Sequence, residues 1–470
     1  MKFLFIQKGS FPATGPMIIS ALLKEHGFEV DLLLDGEEKN LLKSIRRAKP
    51  TIIGIPCLTG LHDWATDLCQ KIKQELPETI TLLGGPHPTY YPEIINEPGV
   101  DIIARGEAEY AILELMQKLR DSREIYGIKN LWLKRGNEVI QNEMDFLPAN
   151  LDELPLPDRQ IYYKYDFLRK VSVKQFLTGR GCPFQCTFCA NNILRKIYCG
   201  KGKFLRRRSP QGVIAEIAEV KKGYGLKTVS FTDDVFITDK QWLAEFLPIY
   251  KEKIGLPFMC NVTANLLTEE IIRLLKNNCC YGIAMGIESG VQEIRFKVLK
   301  KYITDEQIFS SAKLAKKYGL VLKTYNIICL PGETVADALK TLELNAKIKS
   351  DFAACSLLQP FPEYDITEYA KANKFLPADY GIKDTQGKIY QGSPIITGEI
   401  REFANLQKLF FLGVKMPFLI PLIKKMIKLP PNFIFNFLGK SIYGFYMSKV
   451  HRLTLSDMAN YALHIDPYDV

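Results

Sequence analysis

Short apolar strands alternate with amphipathic helices over most of this 470-residue chain, and this alternation constrains the fold more than any other feature. In the first part of the chain, each apolar run is followed by a helical period and then by a turn. Regular alternation of this kind implies a parallel, doubly wound (Rossmann-like) sheet that binds ligands at the carboxyl ends of its strands. The expected strands are 2–6, 28–34, 51–56, 79–84 and 100–104, and the expected helices are 15–27, 62–75 and 107–120.

A proline-rich stretch at 147–160 interrupts the alternation and predicts a linker. Six further strand and helix units follow it in about 200 residues, which favours an incomplete (β/α)6 barrel of the TIM type. In such a barrel the chemistry lies on the loops after the strands. The expected strands are 173–178, 227–232, 257–262, 281–287, 322–329 and 353–358, and helices include 210–223, 240–253, 268–277 and 304–318.

The α/β alternation stops near residue 376, after which the chain is expected to be mostly helical and is broken by prolines. We therefore divide the chain into a first domain at 1–146, a linker at 147–164, a partial barrel at 165–375 and a helical C-terminal domain at 376–470.

The segment 408–449 combines seven lysines with many aromatic and aliphatic residues and contains no acidic residue. No stretch in it reaches the length of uninterrupted apolar sequence that a membrane-spanning helix needs. Two interpretations stay open. The segment lies on the headgroup layer of an anionic membrane, or its aromatic side chains close the open side of the barrel as core.

The composition is that of a globular protein, with 47% hydrophobic and 24% charged residues, and it excludes a disordered or fibrous chain. The first residues do not form a secretory signal, which predicts a cytoplasmic protein whose eleven cysteines are thiols or metal ligands. The net charge of +10 suits nucleic acid, anionic lipid or a phosphorylated substrate. We expect no nucleic-acid partner, because no recognisable binding motif groups the charge.

Three cysteines follow the first strand of the predicted barrel in the spacing C-x3-C-x2-C: Cys182, Cys186 and Cys189. Three thiolates from one loop can hold a four-iron cluster and leave one iron open. An open iron can chelate the amino and carboxylate groups of S-adenosylmethionine, so that an electron breaks a carbon–sulfur bond. The alternative is a structural zinc or ordinary ferredoxin site with Cys199 as fourth ligand.

The motif TGRGCPFQCTFCANN resembles that of the radical S-adenosylmethionine (radical SAM) superfamily. The segments RRRSPQGVIAEI, VSFTDDVF, GIAMGIESG, NIICLPGET and QPFPEYD occur in the order seen in its subgroup with an amino-terminal cobalamin (vitamin B12)-binding domain. ISALLKEHGFEVDLLL, IPCLTG, LLGGPHPTYYPE and VDIIARGEAE resemble that domain. The resemblance covers residues 1–375, and it implies a 4Fe-4S cluster, S-adenosylmethionine and cobalamin as cofactors.

The resemblance also assigns residues to S-adenosylmethionine, although the usual Gly-Gly-Glu of the superfamily is absent. In chain order these are Asp233 and Asp234 for the amino group, Glu288 and Ser289 for the ribose, and Pro331 and Gly332 for the adenine. A carboxylate that accepts two hydroxyl protons suits the ribose. The alternatives are a helix-capping pair at 233–234, a buried salt bridge at 288 and an ordinary tight turn at 331–332.

For cobalamin, the resemblance implies that two loops hold the nucleotide tail: Leu58, Thr59 and Gly60 after one strand, and Gly84 and Gly85 after the next. No D-x-H-x-x-G motif occurs, so either the protein gives cobalt no histidine ligand or cobalamin binding has been lost. The nearby histidines at 62 and 87 are interpreted as ordinary surface or turn residues.

The leading hypothesis is a cobalamin-dependent radical enzyme that methylates an unactivated carbon of a lipid, isoprenoid, tetrapyrrole or other secondary metabolite. An oxidative cyclase or rearrangement enzyme with the same cofactors is the alternative. A non-catalytic corrinoid carrier or electron-transfer protein is the third hypothesis. A reductant such as flavodoxin or ferredoxin is an expected partner. The sequence identifies neither further catalytic residues nor an oligomeric state.

Overall fold

A computed structural model describes residues 1–385, 392–454 and 456–458, which form two compact units. One unit comprises residues 1–170 and 194–204. The other comprises residues 171–193 and, within the described chain, 205–458. The parts of the predicted C-terminal domain at 386–391, 455 and 459–470 lie outside the described residues.

The first unit is built on a seven-stranded sheet of order β2-β1-β3-β4-β5-β6-β7. Strands β1 to β5 pair in parallel, and β6 and β7 add an antiparallel hairpin. The strands are β1 (Lys2–Lys8), β2 (Glu29–Asp35), β3 (Ile52–Pro56), β4 (Ile80–Gly84), β5 (Ile102–Ala104), β6 (Leu131–Arg135) and β7 (Glu138–Gln141). The helices are α1 (Thr14–Glu25), α2 (Leu41–Ala48), α3 (His62–Glu75), α4 (Pro86–Tyr90), α5 (Glu109–Arg120), α6 (Gln160–Tyr163) and α7 (Asp166–Lys170).

The central strands of this sheet consist almost entirely of buried apolar residues because helices cover both faces. The predicted linker contains α6, in which Tyr162 is fully buried and its hydroxyl donates to Gln7 Oε1 at 2.5 Å. The prolines at 147–160 therefore end the α/β alternation, but the segment that follows them packs against the first sheet and is not an exposed linker. The predicted domain bounds remain predictions.

The second unit contains a six-stranded, all-parallel sheet of order β15-β14-β13-β12-β11-β8, curled into a half-barrel. Its strands are β8 (Val173–Phe176), β11 (Thr228–Phe231), β12 (Phe258–Val262), β13 (Cys280–Glu288), β14 (Val321–Ile328) and β15 (Phe352–Leu357), and a separate small ribbon consists of β9 (Gly179–Arg180) and β10 (Arg206–Arg207). Its helices are α8 (Ala190–Ile197), α9 (Pro210–Gly223), α10 (Lys240–Lys253), α11 (Glu269–Asn277), α12 (Gln292–Lys297), α13 (Asp305–Lys317), α14 (Val335–Lys347), α15 (Asp365–Ala372), α16 (Ile400–Lys415), α17 (Ile420–Met426) and α18 (Phe433–Val450). The last turn of α8 belongs to the first unit.

These observations confirm the predicted fold class: a doubly wound domain, a partial barrel of six strands and a helical C-terminal region. Apolar side chains from β8, β11, β12, β13 and β14 and from α9, α10, α11, α13 and α14 form the main core of the barrel. Among the described residues, no helix has both the length and the apolar character needed to cross a membrane.

Candidate functional site

The loop after β8 and β9 carries Cys182, Cys186 and Cys189, and all three line one cavity of about 520 Å³. The cavity lies at the carboxyl ends of the half-barrel strands, because the loops after β11 and β12, residues of β13 and the loop after α12 complete its wall. Its volume is within the usual range for small-molecule sites. The position of the cysteines at the barrel mouth is the one expected for a catalytic loop.

Hydrogen bonds to two other elements fix this cysteine loop. The buried Thr187 donates its hydroxyl to the carbonyl of Val298 at 2.7 Å and its amide to that of Leu299 at 3.0 Å, next to the end of α12. Asn192 donates to Asp365 Oδ2 of α15 at 2.8 Å. The loop is therefore held in place independently of any bound group.

The three thiols fit a site-differentiated cluster by their number and their common cavity. Burial raises the pKa of Cys186 to about 12, and it also raises the pKa of Cys189, so these thiols carry protons until iron replaces them. Asn191 donates to Cys189 Sγ at 3.8 Å. Cys199, the alternative fourth ligand, is an exposed residue of the first unit.

The structure separates the two predicted aspartates after β11. Asp234 lines the cavity, and burial raises the pKa of its carboxyl. Asp233 instead accepts hydrogen bonds from the amide and hydroxyl of Thr178, the latter at 2.6 Å, and lies 3.8 Å from Arg207 Nη1. Asp233 thus ties β11 to the loop after β8, and only Asp234 is available to a ligand in the cavity.

Glu288, at the end of β13, lines the cavity and forms a buried ion pair with Lys301, Nζ to Oε1 2.7 Å. Its backbone has a φ of 68°, which is strained for a residue with a side chain. A Cβ atom on Gly286 would overlap both Glu288 Oε1 and Lys301 Nζ. Glycine at 286 therefore leaves the space that this ion pair occupies.

The remaining predicted S-adenosylmethionine residues are not among those that line the cavity. Ser289 is fully buried, and its hydroxyl accepts from the amide of Val291 at 3.2 Å. Pro331 and Gly332 form the turn after β14, where Gly332 has a φ of 80° and faces the ring of Phe375. The structure therefore brings together three cysteines, Asp234 and Glu288 from the predicted set.

In the first unit, the two predicted cobalamin loops meet at the carboxyl ends of β3 and β4. The amide of Cys57 donates to the carbonyl of Gly84 at 2.8 Å, and the amide of His87 donates to the carbonyl of Cys57 at 3.0 Å. Gly85 has a φ of 95°, and a Cβ there would lie 3.3 Å from the carbonyl oxygen of Cys57. This close approach requires glycine at 85.

Two histidines join the same loops. The ring of the buried His87 stacks on that of His62 at 4.3 Å and forms a 3.1 Å hydrogen bond with the hydroxyl of Thr59. The amide of Gly60 donates to His62 Nδ1 at 3.2 Å. Burial lowers the pKa of His87 to about 3, so its ring stays neutral. Leu58 remains exposed beside this cluster, as an apolar surface that suits a large ligand.

Sequence reasoning missed two features of these sites. Lys301 follows Glu288 by 13 residues in a loop without a motif, and only the tertiary fold pairs the two. The histidine pair, interpreted as ordinary turn residues, joins the two predicted cobalamin loops. The pair could have been predicted, because each histidine follows a buried parallel strand and such loops meet at one edge of the sheet.

Comparisons with known proteins match both units. Residues 8–116 match the family model of the B12 binding domain, and residues 176–344 match that of the radical SAM superfamily. An uncharacterised methyltransferase of Pyrococcus horikoshii is 31% identical over 77% of this chain and 80% of its own length. The cytidylyl-2-hydroxyethylphosphonate methyltransferase of Streptomyces wedmorensis is 26% identical over 67% of this chain and 68% of its length.

An anaerobic magnesium-protoporphyrin IX monomethyl ester cyclase of Rubrivivax gelatinosus is 25% identical over 76% of this chain and 66% of its length. Among solved structures, the radical S-adenosylmethionine methyltransferase TsrM from Kitasatospora setae, with cobalamin and a [4Fe-4S] cluster bound, superposes with a TM-score of 0.67 at 17% identity. That likeness covers 79% of this chain and 75% of TsrM, and at this identity it concerns the fold.

The two family models confirm the predicted cofactors: a radical SAM domain for the cluster and S-adenosylmethionine, and a B12-binding domain for cobalamin. They also favour an enzyme over a corrinoid carrier. The chain therefore belongs to the radical SAM superfamily, in the subgroup of cobalamin-dependent methyltransferases with an amino-terminal B12-binding domain.

Proposed function

We propose that this enzyme transfers a methyl group to a carbon atom that carries no activating substituent. The observation that carries the proposal is the cavity in which Cys182, Cys186 and Cys189 face Asp234 and Glu288, in a chain that also has a B12-binding domain. When bound, the cluster would supply the electron that cleaves S-adenosylmethionine to a carbon radical, and cobalamin would supply the methyl group.

In this proposal the three cysteines hold the cluster and Asp234 binds the amino group of S-adenosylmethionine. Glu288, positioned by Lys301, accepts hydrogen bonds from the ribose hydroxyls. In the B12-binding domain, the backbone of Gly84 and Gly85 and the loop at 58–60 hold the nucleotide tail of cobalamin. The stacked rings of His62 and His87 stiffen these loops, since the ring of His87 bonds to the hydroxyl of Thr59 and the ring of His62 accepts from the amide of Gly60.

An apolar metabolite such as a lipid, an isoprenoid or a tetrapyrrole is the proposed substrate. Two exposed tyrosines, Tyr302 and Tyr325, lie among the residues that line the cavity. Phe184 and Phe188 line it within the cysteine loop itself. Aromatic rings at such a cavity contact apolar surface while their hydroxyl groups stay hydrated.

Oxidative cyclisation is the second candidate, because cyclases are among the relatives of this chain. Both reactions begin with hydrogen abstraction by the same radical, so the cavity alone does not separate them. A product heavier by one methyl group supports transfer, whereas a product that has lost hydrogen at unchanged carbon count supports cyclisation.

The experiment is an anaerobic assay of the full chain, with its cluster reconstituted and with cobalamin, a chemical reductant and S-adenosylmethionine. Mass spectrometry follows 5′-deoxyadenosine and S-adenosylhomocysteine, and absorbance follows protein-bound corrinoid. We expect both products from the wild type and from Cys199→Ala, whereas Cys186→Ala should form no 5′-deoxyadenosine. Failure of the wild type to form deoxyadenosine at verified iron loading would contradict the proposal. In the cell, flavodoxin or ferredoxin would replace the chemical reductant.

A further inference from the structure

The C-terminal helices expose an unusual amount of apolar surface. Half of the exposed large apolar side chains in the described part of the chain lie between residues 416 and 445. We call them the apolar tail surface: Met416, Phe418, Leu422, Leu429, Phe433, Ile434, Phe437 and Phe445. Phe418, Phe433 and Phe437 are each about 70 to 80% exposed. Such a concentration marks an interaction site.

Helix α18 already has a packed face, so its exposed face is not needed for folding. Gly439 brings α18 so close to α16 that a Cβ would lie 2.9 Å from the carbonyl oxygen of Lys408. Phe435 is buried, and the ring of Tyr446 contacts that of Phe411 at 4.9 Å. The exposed residues Ile434, Phe437, Phe445 and Lys449 follow helical spacing on the outer face.

The neighbouring helix α17 is held just as firmly. Asn405 of α16 donates to the carbonyls of Ile427 and Leu429 at 3.0 and 2.8 Å, and Ile423 is buried. Leu422 on α17 and Phe418 just before it remain exposed. The exposed apolar side chains are thus presented by a fixed scaffold. The interpretation of this segment as core holds for the buried Phe435 and not for Phe418, Phe433 and Phe437.

The positive charge of this region indicates an anionic partner. Residues 408–449 contain seven lysines and no acidic residue. Lys424, Lys425, Lys428 and Lys449 are exposed, and only the first of these has a salt bridge among the described residues, to Glu343 of α14 at 3.1 Å. The surface that exposes phenylalanine therefore also carries a high density of positive charge.

We infer that residues 416–449 bind this protein to the surface of an anionic lipid bilayer, with the phenylalanines among the acyl chains and the lysines at the headgroup phosphates. A second copy of the chain fits less well, because a twofold contact would set lysines against lysines. Nucleic acid would pair with the lysines and leave the aliphatic side chains in water. The inference goes beyond methyl transfer and does not depend on it.

The test is flotation of the reconstituted full chain with vesicles of phosphatidylcholine alone or of equal parts phosphatidylcholine and phosphatidylglycerol. We expect binding to the mixed vesicles only, with weaker binding in high salt. Lys425→Glu with Lys428→Glu, and separately Phe433→Ser with Phe437→Ser, should each weaken binding at least about tenfold. Deoxyadenosine formation, measured in parallel, should stay at the wild-type level.

Matched controls come from exposed residues elsewhere in the chain. Lys251→Glu with Lys253→Glu on α10 makes the same change in net charge, and Phe309→Ser on α13 removes another exposed ring. Both should bind vesicles like the wild type. Absence of wild-type binding, or equal losses in the controls, would overturn the inference. A wild-type dimer that Phe433→Ser with Phe437→Ser converts to a monomer would assign the surface to a second copy instead.

Discussion

Lys301 Nζ lies 2.7 Å from Glu288 Oε1, and both side chains are largely buried in the wall of the cavity that holds the three cysteines. The ion pair fixes the Glu288 carboxylate at a residue whose backbone φ is positive. Strain of this kind costs about 1–3 kcal/mol and persists where surrounding contacts enforce it. Here the enforcing contact is the ion pair with Lys301, and the missing side chain of Gly286 leaves room for it.

We therefore predict that Glu288→Gln lowers the affinity for S-adenosylmethionine about tenfold or more, because a charged hydrogen-bond acceptor for the ribose is lost. Gly286→Ala should have a similar effect, since its Cβ displaces the ion pair. Isothermal titration of the cluster-loaded protein measures the affinity, and iron content checks the cluster. The control is Glu293→Gln on α12, which breaks an exposed ion pair with Lys297. Unchanged affinity in Glu288→Gln would contradict the proposed ribose contact.

Much of the fold could be predicted from apolar periodicity. The bounds of α3, α9 and α10 agree with the expected 62–75, 210–223 and 240–253. All six barrel strands also lie within two residues of their predicted ends, because strands buried on both faces appear as short apolar runs between turns. The β6–β7 hairpin was missed, although its Gly136-Asn137 turn is a recognised hairpin signal.

The site was predictable only where its chemistry is local in sequence. The cysteine spacing alone brought three thiols to one loop. Asp233 and Asp234 look equivalent in the sequence, yet the carboxylate of Asp233 is bound by Thr178, and only Asp234 reaches the cavity. The contribution of Lys301 depends on how the loop after α12 folds back, which no local pattern encodes.

The second prediction concerns Gly85, whose positive φ and close approach to Cys57 shape the proposed cobalamin loops. Gly85→Ala should reduce the corrinoid that copurifies with or is retained by the protein, because the new methyl group pushes against a backbone carbonyl. Gly136→Ala is the matched control. Gly136 also has a positive φ, of 60°, but a Cβ there meets nothing within 4 Å.

Absorbance of the desalted protein measures the retained corrinoid, and circular dichroism checks folding. Both variants place alanine at a positive φ, which destabilises the backbone in each. A loss of corrinoid that occurs only in Gly85→Ala is therefore due to the contact between residue 85 and Cys57. Equal corrinoid retention in the two variants would show that the loops at 58–60 and 84–85 do not hold the cofactor.

The third prediction concerns Glu333, a carboxyl group buried in the turn after β14. Its Oε2 accepts from the amide of Leu330 at 3.0 Å, while its Oε1 has no hydrogen-bond partner among the described residues. Burial, with a smaller contribution from the charge of Asp337, raises the pKa of Glu333 to about 8 from an ordinary value of 4.5. The folded protein thus holds a proton here that the unfolded chain releases above pH 4.5.

Because the folded state binds more protons between these two pKa values, stability falls as pH rises from about 4.5 to about 8. The slope from this one group is at most about 1.4 kcal/mol per pH unit. Glu333→Gln mimics the protonated acid at every pH and should remove this contribution. We expect the variant to match the wild type in thermal unfolding midpoint at acidic pH and to exceed it above the raised pKa. A difference between the two proteins that does not change with pH would show that Glu333 is not protonated in the fold.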